Sequence, residues 1–198
     1  GLGVTQSNIQ AFEWFSKAAA QGNEDAQNNL GTMYSDAQGI TKDKVKAFEW
    51  YGKAAAQGHV DAQYNLGVMY ERGEGVAQSY AKAVEWYSKA ATQGDSYAQN
   101  NLGVMYSKGL GVTQNDAKAF EWYSKAASHG HVYAQNTIGG KYQKGLGVTQ
   151  SNIKAFEWYS KAAAQGDAYA QYNLAEMYKS GLGVTQSNAK AFEWYGKA

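Results

Sequence analysis

The chain has no cysteine and no proline in its 198 residues. Without cysteine there can be no disulfide staple and no thiolate metal site, and reducing and oxidising compartments both remain open to it. Histidine is scarce, with three residues. Long apolar runs are missing too. None approaches the roughly 20 residues needed to cross a bilayer as a helix, so no membrane insertion is expected. Nor is there an excess of one charge: 18 Lys and Arg stand against 17 Asp and Glu, a net charge of +1. That balance leaves no electrostatic footprint for nucleic acid or an anionic membrane. The chain opens on Gly1 rather than Met, without a signal peptide. Its first residues, "GLGVTQSNIQ", already read as the tail of a repeat, so a longer parent protein is expected.

What is present is a fixed period. The six tryptophans are Trp14, Trp50, Trp86, Trp122, Trp158 and Trp194, and every gap is 36 residues. A constant period in the range of roughly 20 to 50 residues marks a solenoid or array, and it overrides what length alone suggests about domain number. With Ala11 as the first position, full copies run 11–46, 47–82, 83–118, 119–154 and 155–190, flanked by partial copies 1–10 and 191–198. Twelve of the 36 positions are identical in all five full copies, which makes 1–198 one array without an internal linker.

Each copy reads as two helices. In "SNIKAFEWYSKAAAQG", Ser151 is a good N-cap and Gly166 a stop in the left-handed region. Between them Ala155, Trp158, Tyr159, Ala162 and Ala163 recur at helical spacing and form one apolar face. Asp167 then caps a second helix whose face holds Ala170, Leu174, Met177 and Tyr178, and Gly181 closes it. Neither helix can bury its face alone, so stacked neighbours complete the core. The pattern predicts eleven helices, six of the first kind and five of the second, with equivalent tryptophans mostly buried between helices except near the ends.

Little here resembles a reaction centre. "GLGVTQ" lacks the third glycine and the preceding strand of a dinucleotide loop, and it recurs four times, as a helix terminus would. His59 and His131 fill the same place before the second helix, where Asp or Asn stands in other copies, so capping is expected of them. "HGH" at His129 to His131 has no evident third ligand for a metal. Glu157 and Lys161 lie at i, i+4, and the pair recurs in every full copy as a solvated ion pair would. Polar residues that repeat in every copy do not mark a unique catalytic centre. No catalytic residue, cofactor or metal is expected.

The run Ala-x-x-Trp-Tyr-x-Lys-Ala-Ala, the glycine turn, Ala-Gln-x-x-Leu-Gly-x-x-Tyr and the Gly-x-Gly-Val loop together resemble the Sel1-like repeats, relatives of the tetratricopeptide repeat. The resemblance covers essentially the whole chain. Family members commonly carry Pro after that Val and Asp a little later; here Thr113 and Asn115, and their counterparts, occupy this stretch. The cysteine-linked subgroup is excluded by composition. The resemblance implies an all-α, right-handed superhelical solenoid, with first helices lining a concave surface. It implies a non-catalytic adaptor that binds a protein or peptide segment. It also implies a bacterial setting, cytoplasmic or periplasmic, and an alternative role as an immunity protein against a secreted phospholipase-type effector. An engineered consensus array, an enzyme and a carbohydrate-binding module are the remaining alternatives.

By analogy with tetratricopeptide geometry, a second row on the first helix faces the groove. It holds Phe48, Val84, Ser88, Phe120, Ser124, Phe156 and Ser160, aromatics beside small residues that suit an apolar peptide or helix. The competing expectation is that each Phe packs on the neighbouring first helix. Variable positions cluster at the turn before the second helix, at Asn23, His59, Asp95, His131 and Asp167. The last first-type helix has no second helix over Trp194 and Tyr195, so end-to-end self-association is expected. One copy is odd: Lys141 replaces the methionine found at 33, 69, 105 and 177, beside Gly140. A buried ammonium needs a partner, and Glu157 one copy on is the expected one.

Overall fold

The structure is a computed structural model that describes residues 7–198; the part of the leading partial copy at 1–6 lies outside the described residues. Among the described residues there are eleven α-helices and no strand. The first-type helices are α1 (Asn8–Ala20), α3 (Lys44–Ala56), α5 (Tyr80–Thr92), α7 (Asp116–Ser128), α9 (Asn152–Ala164) and α11 (Asn188–Tyr195). The second-type helices are α2 (Glu24–Asp36), α4 (Val60–Arg72), α6 (Ser96–Lys108), α8 (Val132–Lys144) and α10 (Ala168–Ser180). They group into two compact units, Gly1–Asp95 and Ser96–Ala198.

Local chemistry sets the helix ends. Ser151 accepts a hydrogen bond from the Lys154 amide and starts α9, and Asp167 accepts from the Ala170 amide at 2.7 Å and starts α10. Between them Gly166 turns the chain at φ +89°, a conformation that costs glycine little. Both second-helix histidines are caps. His59 Nδ1 accepts from the Ala62 amide at 3.3 Å, and His131 Nδ1 from the Ala134 amide at 3.2 Å. The loop that tempted a phosphate-binding reading ends α8 with Gly145 and Gly147 in the left-handed region. Gly147 lies so close to the Asp116 carbonyl that a side chain there would collide with it, so the loop seals its own helix pair.

Consecutive hairpins join through a ring laid over a glycine. In the first unit the Tyr51 ring of α3 lies across Gly31 of α2, where a Cβ would be 2.5 Å from Tyr51 Cδ1. In the second unit Tyr159 of α9 lies across Gly139 of α8 in the same way, at 2.6 Å. Tryptophan adds a second staple. Trp50 packs back on the Ala19, Ala26 and Leu30 cluster, Trp86 on the cluster around Tyr51 and Leu66, Trp158 on that around Tyr123 and Ile138, and Trp194 on that around Tyr159 and Leu174.

The tryptophans are less buried than the periodicity predicts. Trp50, Trp86, Trp122, Trp158 and Trp194 are half-buried, and Trp14 is 69% exposed. The fully buried positions belong instead to alanines and to Leu30, Leu66, Tyr87, Leu102, Met105, Ile138, Leu174 and Met177. Trp50, Trp86, Trp158 and Trp194 each cover the edge of the preceding core, and the outer face of every indole takes a lysine from the next turn of its own helix.

A side-chain amide ladder ties the hairpins further. In the first unit Gln63 donates to the Ala55 carbonyl at 3.3 Å and accepts from Gln93 Nε2 at 2.8 Å. In the second, Gln135 donates to Ala127 and accepts from Gln165, at 3.2 and 2.8 Å. His129 holds the rung that glutamine holds elsewhere, its Nδ1 3.0 Å from Gln99 Oε1. Gln63, Gln99 and Gln135 are buried, so each rung satisfies a polar group that would otherwise cost about 1 to 3 kcal/mol.

Candidate protein-binding surface

The row on the first helices is neither free nor core. In the first unit Phe48, Val84 and Ser88 are half-buried; in the second, Phe120, Ser124, Phe156 and Ser160 are half-buried as well. The Phe rings do not rest on the neighbouring first helix alone. Each meets a tyrosine from the second helix of its own hairpin, edge to face: Phe48 with Tyr70 at 5.3 Å, Phe120 with Tyr142 at 5.2 Å, Phe156 with Tyr178 at 5.4 Å. Such pairs are worth about 0.5 to 1.5 kcal/mol beyond burial and fix the ring angle. Ser160 donates to the Phe156 carbonyl at 2.7 Å. At Gly52, one turn after Phe48, a Cβ would meet nothing within 4 Å, so the space beside that ring is open.

A lysine completes each unit of this row. Lys82 Nζ lies 5.3 Å from the Tyr70 ring centre in the first unit, and Lys154 and Lys190 lie 5.3 and 5.2 Å from Tyr142 and Tyr178 in the second. The tyrosine and the lysine are both among the twelve invariant positions. A second row of lysines covers the indoles. Lys17, Lys53, Lys89, Lys125, Lys161 and Lys197 sit 3.8–4.8 Å from the ring centres of the tryptophans three residues before them. This corrects the expected Glu–Lys pairing along the first helices. Among the described residues only Glu193 and Lys197 make that i, i+4 contact, at 2.7 Å; Lys161 turns to Trp158 instead of Glu157.

Lys141 also has a different partner from the expected one. Its side chain is 7% exposed, and its ammonium lies 2.9 Å from Asp116 Oδ1, at the start of α7 in the same hairpin. Glu157 is on the following hairpin and is not its partner. The ammonium also lies 5.9 Å from the Tyr123 ring centre. The lysine therefore turns inward across its own helix pair and not outward to the next one. The position that pairs with it is a second variable spot. Lys44, its counterpart in the first unit, reaches Glu74 at 2.8 Å and Ser35 Oγ at 2.8 Å.

The variable turn positions differ between units. In the first, His59 Nε2 faces Asp25 Oδ1 at 3.3 Å. In the second, the places of Asp25 and Asp61 are taken by Tyr97, Tyr133 and Tyr169, which are 61%, 56% and 77% exposed. Tyr97 meets His131 edge-on at 5.0 Å. At the last helix Trp194 and Tyr195 are half-buried, and Tyr169, Tyr172, Tyr195 and Ala198 bound a shallow apolar depression.

Perturbed ionisation among the described residues has structural causes. Burial pushes the Tyr159 phenol up to about 12 and raises Tyr123 further. A hydrogen bond to Glu176 holds Tyr195 at about 12, and the hydrogen bond from Lys44 lowers Glu74. No helix of the described residues is long and apolar enough to cross a membrane.

The repeat chemistry, the hairpin pairing and the glycine joints are those of one family. The Sel1 repeat profile matches residues 1–23, 24–59, 60–95, 96–131, 132–167 and 168–198, and the chain belongs to the Sel1 repeat family. Its fold is the all-helical Sel1 repeat solenoid, a protein-interaction fold. Among solved structures it is similar to a protective antigen present in uropathogenic Escherichia coli strains, with 42% identity, a TM-score of 0.96 and 98% of this chain covered. This chain spans 42% of that protein's length. It is also similar to a Sel1 repeat protein from Oxalobacter formigenes, at 37% identity and a TM-score of 0.91, covering 96% of this chain and 78% of that one. An immunity protein from Pseudomonas aeruginosa shares the fold at 23% identity and a TM-score of 0.59, over 98% of this chain and 75% of its own. No match was found among the curated proteins.

Proposed function

We propose that the chain is a non-catalytic scaffold whose first helices hold a protein or peptide segment along Phe48, Val84, Ser88, Phe120, Ser124, Phe156 and Ser160. The observation that carries this is the half-burial of the Phe rings. Each is pinned at one edge by a tyrosine, which fixes its orientation, and keeps part of its surface open beside Gly or Ser. A pre-set aromatic anchor next to a small residue binds an apolar side chain without first having to order itself. The immunity-protein alternative draws on a likeness of fold alone.

The test is Phe120→Ala with Phe156→Ala in one chain. Partner affinity should fall at least tenfold, while the cooperative thermal transition is kept. An unchanged partner affinity of the folded fraction would show that these rings serve packing only.

A further inference from the structure

The net charge of +1 hides a separation of charge. Lys44 and Asp116 are paired within their own hairpins. Apart from these two, the first helices carry ten lysines and six glutamates; the rest of the chain carries seven Lys and Arg and ten Asp and Glu. The excess is present in each unit separately: five lysines to three glutamates on α1, α3 and α5, and five to three on α7, α9 and α11.

These lysines are placed, not merely present. Lys82 in the first unit and Lys118, Lys154 and Lys190 in the second each lie over a tyrosine ring at 5.2–5.4 Å, and among the described residues none of them has a carboxylate within ion-pair distance. A ring beneath an ammonium holds it in place and replaces part of its water, but leaves its charge unneutralised. Phe48 touches the edge of the same Tyr70 ring that Lys82 covers, and Phe156 that of the Tyr178 ring under Lys190. Each such step therefore offers an apolar ring and an unpaired cation around one tyrosine.

We propose that the first-helix surface takes an acidic protein segment, with carboxylates along the tyrosine-seated lysines and apolar side chains on the Phe rings. This rests on the scaffold reading above and names the chemistry of its partner. Charge complementarity of this kind selects among partners and speeds encounter. Nucleic acid fits less well. It brings charge at about 1.7 Å spacing along a duplex and no apolar side chain for the Phe rings, whereas each repeat offers one ring-seated lysine.

A random peptide library displayed on phage, panned against the whole chain, tests this. Enriched peptides should combine acidic and apolar residues. Their affinity should fall at least tenfold on Lys118→Gln with Lys154→Gln, and on Phe120→Ala with Phe156→Ala, all within the second unit, while helicity by circular dichroism is retained. Restoring arginine at both lysine positions should recover most of the loss. If enriched peptides are neutral or basic but still depend on the Phe residues, the acidic partner is wrong and the scaffold surface stands. If no enriched peptide responds to the Phe substitutions, the surface reading fails with it. If a single-stranded oligodeoxynucleotide competes as well as the acidic peptides do, the lysines capture any polyanion and the proposal is overturned.

Discussion

Lys141 Nζ lies 2.9 Å from Asp116 Oδ1, and each residue is singular at its place in the repeat. Methionine fills the first place in the other copies, and no other copy has a carboxylate at the second. Two departures that meet in space compensate one another. Where the other copies have methionine at this place, this hairpin has an ion pair across its two helices.

A double-mutant cycle measures that exchange. Asp116→Asn leaves the buried ammonium alone and should cost about 2 kcal/mol, below the usual range for a buried pair because Asp116 is 40% exposed. Lys141→Met should be neutral or stabilising by about 1 kcal/mol, since Asp116 keeps its place at a helix N-terminus. The double variant recreates the Asn152 and Met177 arrangement of the next copy and should recover the loss. Urea unfolding reads the coupling, and strict additivity of the two changes would show that the pair carries no energy.

Two glycine-to-alanine changes should act in opposite directions. Gly139→Ala pushes a methyl into Tyr159 and should cost about 1 to 3 kcal/mol. Gly52→Ala meets open space in a helix interior and should gain up to about 1 kcal/mol. Thermal melts of the two variants should move apart; a shift in the same direction would contradict the joint geometry.

Lys161 and Glu157 can be separated in the same way. Lys161→Ala uncovers Trp158 and should shift indole emission to the red, at a cost of about 0.5 to 1 kcal/mol. Glu157→Gln should change stability by less than about 0.5 kcal/mol. Equal effects would restore the ion-pair reading.

Tyr159 makes the array sensitive to alkali. Its phenol is raised to about 12 by burial, so the folded chain keeps a proton that the unfolded chain releases near pH 10. Its contribution is therefore constant below pH 10 and turns unfavourable as pH rises from 10 to 12. Tyr51 and Tyr123 shift in the same direction, also chiefly through burial. Tyr159→Phe should flatten part of the decline in stability over that window. An identical pH dependence in the variant would place the loss elsewhere.

The sequence carried the architecture well because period, caps and glycines are local signals. Ser151, Asp167 and the two capping histidines do in the structure what their positions in the repeat imply. Side-chain direction was less legible. Spacing placed Trp158 on the core face, but a large ring at the margin of that face can cover a core without entering it. Lys161 had two partners within a helical turn, and only geometry decides between a carboxylate and an indole. The Asp116 partner of Lys141 did leave a signal: both are unique when the copies are aligned, and pairing the two singular positions would have found it. The glutamine ladder left a weaker trace, since invariant Gln27 and its counterparts look like surface polar residues until the carbonyls they meet are known. The surface row was legible as a row, but its tyrosine partners lie some twenty residues away on the other helix.

The tryptophan staples give the array a direction. Trp50 covers the hairpin before it, as Trp86 does within the first unit and Trp158 and Trp194 do within the second. Each hairpin is thus roofed by the residue that follows it and not by the one before. Removing a following helix takes away the indole that roofs the hairpin before it, as removal of α11 would take Trp194 from the cluster around Tyr159 and Leu174. A ribosome releasing the chain therefore finishes each of these hairpins only after the next tryptophan has emerged.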